Sequence, residues 1–170
     1  MKIKFFSLII LILTIFNSPI FAEIKCKIDG EHLKLNYKNR EFKTAVMGNG
    51  VMEQFQKGGS AFFEVHVNPS LSELVVFNLK TGKFTTYVYT QYFINDSIDI
   101  LTVLDPPHFS SEDSDIEREI SVNGNSVCKF DRSVEIDVKI SAGKFDIYSD
   151  GKLLGSISKN KKIWVFKKLK

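Results

Sequence analysis

From Val134 to Ile140 the chain alternates without a break: Val134, Ile136, Val138 and Ile140 are apolar, and Glu135, Asp137 and Lys139 between them are charged. Successive side chains of an extended strand point to opposite faces, so this pattern buries one side of a β-strand and wets the other. On a helix it would scatter both kinds of residue around the axis. The same period recurs at the start, where Ile24, Cys26 and Ile28 alternate with Lys25, Lys27 and Asp29, and Leu33, Leu35 and Tyr37 with His32, Lys34 and Asn36. These two runs form an opening hairpin around Asp29-Gly30.

Further strands are expected at 42–47, 51–56, 61–67, 71–79, 84–93, 97–104, 116–122, 126–130, 144–149, 152–157 and 162–167. Turn chemistry falls between them: Gly48-Asn49-Gly50, Gly58-Gly59, Asn68-Pro69, Thr81-Gly82, Asn95-Asp96, Asn123-Gly124 and Asp150-Gly151 all tolerate positive φ or preset a turn. Asn123-Gly124 and Asp150-Gly151 are the strongest hairpin signals. Only 50–57 has any helical flavour. The expected fold is all-β, an antiparallel β-sandwich or closed β-barrel.

The first 22 residues read differently. Lys2 and Lys4 precede an apolar run from Phe5 to Ile15, then Asn17-Ser18-Pro19 and the small residue Ala22. A run of about 12 residues spans roughly 18 Å as a helix, against about 30 Å of hydrocarbon, so it reads as a cleavable signal peptide over 1–22 rather than an anchor. Lys25 before Cys26 does not suit lipoprotein cleavage. The expectation is a single all-β domain over 23–170, exported to the periplasm or secreted. Asn95-Asp96-Ser97 matches a glycosylation acceptor, relevant only in a eukaryotic secretory route.

In an oxidising compartment the two cysteines, Cys26 and Cys128, are expected to pair. Both lie on the inward parity of their strands, compatible with a bridge through the core. A faint echo links Cys26-Lys27-Ile28-Asp29 to Cys128-Lys129-Phe130-Asp131.

Without Lys2 and Lys4 the balance is 21 basic against 20 acidic residues, which points to no bulk-charge partner and away from nucleic acid. Six lysines crowd 159–170, however. That basic end is suited to a peripheral contact with anionic lipid or polymer, with Trp164 and Phe166 as apolar anchors; its plainer reading is a last strand with solvated lysines.

No Gly-x-Ser-x-Gly, His-Glu-x-x-His, phosphate-cradling loop or dinucleotide fingerprint occurs, so no catalytic, metal or cofactor site is assigned. Three regions remain. Glu64 and His66 lie two apart on one strand face, either an acid–base pair or simply a polar outward face. The segment Asp105-Pro106-Pro107-His108-Phe109, followed by acids to Glu119, forms the longest loop; its acids lack a calcium-binding spacing, and its length suits a contact surface. The run 84–93 puts Tyr87, Tyr89 and Phe93 on one face and Phe84, Val88 and Tyr92 on the other, as a central core strand or an aromatic binding face would. The candidate binding residues are Tyr87, Tyr89, Tyr92, Phe93, His108 and Phe109.

Cys26, Gly30, Leu33-Lys34-Leu35-Asn36-Tyr37 and Gly58-Gly59-Ser60-Ala61-Phe62 resemble, over about a quarter of the chain, the small periplasmic β-barrel inhibitors of c-type lysozyme. Those modules are shorter, Phe62 stands where their loop motif has a tyrosine, and no functional residue is carried over. The resemblance implies an inhibitor of a cell-wall lytic enzyme. The expected function is a non-catalytic envelope module that binds an unknown protein or polymer. The alternatives are that inhibitor, a carrier of an apolar small molecule in a barrel cavity, or an enzyme in which His66, Glu64 and a loop carboxylate meet.

Overall fold

The computed structural model describes residues 24–105 and 117–169. The expected leader, and His108 and Phe109, lie outside them. The described residues are all-β, with fifteen strands and no helix. Four antiparallel sheets follow one another along the chain, each a meander of consecutive strands. The first holds β1 (Lys25–Asp29), β2 (His32–Tyr37) and β3 (Arg40–Ala45). The second holds β4 (Gly50–Lys57), β5 (Ser60–Asn68), β6 (Leu71–Asn78) and β7 (Phe84–Tyr89). The third holds β8 (Gln91–Ile94), β9 (Ile100–Leu104), β10 (Glu117–Val122) and β11 (Asn125–Asp131). The fourth holds β12 (Asp137–Ser141), β13 (Lys144–Ser149), β14 (Lys152–Asn160) and β15 (Ile163–Lys168). The sheets do not close into a barrel.

The meanders form because two-residue turns match the strand twist when both residues take positive φ. Asn123 and Gly124 do so at 52° and 77°, and Asp150 and Gly151 at 49° and 72°. Lys38-Asn39, at 51° and 60°, makes the same kind of turn with no glycine. Asn39 is the member of that pair whose type favours positive φ. Between sheets the connections run from one residue, Thr90, to five, 132–136. Gly48 lies where the first sheet passes into the second, and a Cβ there would stand 2.1 Å from the His66 carbonyl oxygen, so only glycine fits.

Three buried cores alternate with the sheets. Leu33 and Leu35 meet Ala61, Phe63, Val65, Val75 and Phe77 between the first and second sheets. Phe62, Leu74 and Tyr89, from the opposite face of the second sheet, meet Ile100 of the third. Leu101, Val103, Ile120 and Val122, from the far face of the third, meet Val138, Phe145, Ile147 and Ile157 of the fourth. The second and third sheets are therefore apolar on both faces, and the sheets stack in a file.

At the two ends of the file the outward faces are polar. On the first sheet Lys27, Lys34 and Lys43 stand opposite one another in one row across three strands. Lys34 is held by Asp29 at 2.5 Å. On the fourth, buried Asp146 accepts hydrogen bonds from Ser141 at 2.6 Å and from Ser156, and pairs with Lys144 at 3.0 Å. Burial pushes its carboxyl up, but the two serines and Lys144 outweigh burial and hold it below the usual carboxylate range.

This file overturns the expected disulfide. Cys26 packs on the core between the first and second sheets, Cys128 on the core between the third and fourth, and both thiols are free. Each side chain is on the inward parity, as expected, but the inward sides belong to different cores. The Cys26 thiol instead donates to Gln54 Oε1 at 3.0 Å. The echoed tetrapeptides occupy unlike positions, the first strand of one sheet and the last strand of another.

The strongest alternation is also shorter than expected. Strand β12 begins at Asp137, after Val134 and Ile136 have already turned inward, and Ile140 is 44 % exposed because β12 is an edge strand.

Candidate functional site

The expected aromatic strand 84–93 is two strands in two sheets. Thr90 sits between β7 and β8: its N–H donates to the Val103 carbonyl at 2.8 Å, and its hydroxyl donates to the same oxygen at 3.0 Å. This one residue outside both strands resets the parity. Tyr92 therefore joins Tyr87 and Tyr89 on the middle core, whereas Phe84 packs on the core before it and Phe93 on the core after it. The expected pairing of Tyr92 with Phe84, and of Phe93 with Tyr87 and Tyr89, is corrected accordingly.

The second sheet's face toward the middle core changes character along its strands. At one end Phe55 stacks on Phe62, rings 4.8 Å apart and 3° from parallel. At the other end the registers place polar residues side by side. Glu53 of β4 stands opposite Glu64 of β5, and His66 of β5 opposite Ser72 of β6, which in turn faces Tyr89 of β7. Tyr92 meets the Tyr89 ring edge-on at 4.9 Å and 73°. The Glu64–His66 pair and the tyrosine run, read separately in the sequence, thus share one corner between the second and third sheets. A β-bulge between Val51 and Glu53 sets Glu53 against Glu64, and nothing in the sequence signals it.

Tyr89 is 3 % exposed, and its hydroxyl is buried without a hydrogen-bond partner. Glu64 and Ser72 stand beside it without completing a bond: burial first, then the Glu64 carboxylate, drive the phenol far above its ordinary pKa. Tyr92 is pushed up to about 12 by burial and then by Glu64 and Glu53, and Tyr87 is raised by burial alone. All three phenols stay protonated at physiological pH, each keeping a hydroxyl to give and lone pairs to offer. An unpartnered buried hydroxyl costs stability. Tyr89→Phe is therefore expected to stabilise the fold by about 1 kcal/mol, seen as a higher urea midpoint at unchanged m-value; a lower midpoint would mean that the hydroxyl is satisfied.

The described residues that flank the acidic segment, Asp105 and Arg118, meet beside Thr90. Arg118 donates to Asp105 and to the Val134 carbonyl, and the Asp105 N–H donates to the Thr90 hydroxyl at 3.3 Å. The other sequence candidates fall elsewhere. Phe62 of the Gly58–Phe62 motif is fully buried in the middle core and is not presented on its turn. Trp164 and Phe166 pack inward, at 5.8 Å from Phe145 and 5.5 Å from Phe130, so they do not serve as outward anchors. Ile163 and Val165 take the exposed side of that hairpin and, with Asn160, Lys161 and Lys162, line an open pocket of about 540 Å³. Asn95 is 1 % exposed with its amide bonded to Asp99, which leaves no room for a glycan. Among the described residues no three His, Cys, Asp or Glu side chains are placed to hold a metal ion.

With this corner as its most distinctive chemistry, the chain matches no family model, no curated protein and no solved structure.

Proposed function

We propose that this protein is an exported, non-catalytic binding module of the cell envelope, and that it contacts its partner through the corner formed by Tyr89, Tyr92, Glu53 and Glu64. The observation that carries this reading is the buried Tyr89 hydroxyl, which has no hydrogen-bond partner among the described residues and lies beside the Glu64 carboxylate. Tyrosine supplies contact area and a hydrogen bond together, which suits it to recognition surfaces. A carrier of an apolar molecule would call for a closed barrel, which these sheets do not form.

Photo-crosslinking in the native cell tests the reading. Gln91, exposed on edge strand β8, neighbours the corner; Lys139, exposed on β12, lies on the far end of the file. With p-benzoylphenylalanine in place of Gln91, a discrete adduct of higher mass in the envelope fraction is expected, and none from the same probe at Lys139. Equal labelling from both positions, or adducts from neither, would refute a partner surface at this corner.

A further inference from the structure

We propose that the corner is a binding site for a primary ammonium group, that of a lysine side chain presented by the partner. The inference rests on the binding-module reading and adds the chemistry of its ligand. Three observations converge. Glu53 and Glu64 face each other directly across β4 and β5, where like charges repel. Among the described residues neither carboxylate has a lysine or arginine at ion-pair distance. A cation between them removes the repulsion. The Tyr89 hydroxyl, buried and unpartnered, offers lone pairs on the same side.

An alkylammonium carries three donors and no acceptor, which matches two carboxylates and one phenol oxygen. The Tyr92 ring, edge-on to Tyr89, adds a π face of the kind that attracts cations. The four-carbon stem of a lysine needs apolar surface to lie along, and half-buried Phe55, on the same face of β4 as Glu53, supplies it. The high phenol pKa of Tyr92, raised in part by Glu64 and Glu53, reports the negative field such a group would enter.

The test uses the whole protein and three probes: the tripeptide acetyl-Gly-Lys-Gly-amide, its Nε-acetylated form, and glucosamine. The readout is the Tyr89 and Tyr92 ring resonances by NMR. The tripeptide is expected to shift both saturably, the acetylated form to shift neither, and glucosamine, with no stem, to bind more weakly. Glu64→Gln should weaken the tripeptide at least about tenfold, as loss of a charge-assisted hydrogen bond does. Glu53→Gln, on an exposed position that folding tolerates, should weaken it severalfold. No saturable shift below roughly 10 mM, equal shifts from the acetylated form, or unchanged binding by both variants would overturn the proposal. Tighter glucosamine binding would also overturn it, in favour of an amino sugar. If the tripeptide fails while Gln91 still crosslinks, the ammonium is wrong and the module stands. If the tripeptide binds while Gln91 captures nothing, the module is wrong and the site stands.

Discussion

Phe77→Ala is expected to remove about 3–5 kcal/mol of stability, a large share of the roughly 5–15 kcal/mol by which a domain is stable. The side chain is fully buried on β6, and three rings meet it: Phe42 at 4.9 Å, Phe84 at 4.9 Å and Tyr37 edge-on at 6.0 Å. Those rings come from β2, β3 and β7, so the cavity left behind would open between the first and second sheets at a place where neither can collapse alone. Urea unfolding of the variant should show the midpoint drop, with Ile163→Ala as its control. Ile163 is 69 % exposed, and its truncation should change stability by less than about 0.5 kcal/mol. Comparable losses at both positions would contradict a core between the first two sheets.

The second large effect is chemical. Burial pushes the Cys128 thiol up to about 12 from an ordinary 9.0. Because the thiolate is the reacting species, alkylation by iodoacetamide at pH 8 should be about a thousandfold slower in the folded protein than in urea. Cys26, also raised by burial, should be slowed as well. Denaturation without reductant should then expose two alkylatable thiols per chain, counted by intact mass. If labelling appears only after reduction, the cysteines are paired and the stacking order of the sheets is wrong.

What the sequence made legible was local. Period-two alternation placed most strands, and Asn123-Gly124 and Asp150-Gly151 marked their hairpins, because those features depend on backbone geometry within a few residues. What it hid was which sheet each strand joins. Parity says that Cys26 and Cys128 turn inward, yet in a file of four sheets there are three insides, and nothing local says which one a residue faces. Thr90 is the same lesson at one position. A threonine inside an aromatic run reads as one more strand residue, and only its bonds to Val103 show that the strand ends there. The candidate corner was half legible. Glu64 with His66, and the tyrosines, stood out by composition, but their meeting depends on the Thr90 break and on the bulge beside Glu53, both set by tertiary context.

The lysine row on the first sheet bears on how many molecules this architecture brings together. Flat ribbons laid face to face invite another ribbon, and a chain that already repeats this arrangement would polymerise if its outermost surface welcomed a copy of itself. Lys27, Lys34 and Lys43 make that surface self-repelling: a second molecule arriving with the same face would set ammonium against ammonium across the seam. The barrier is electrostatic, so it weakens in concentrated salt, where the screening length falls to about 3 Å at 1 M.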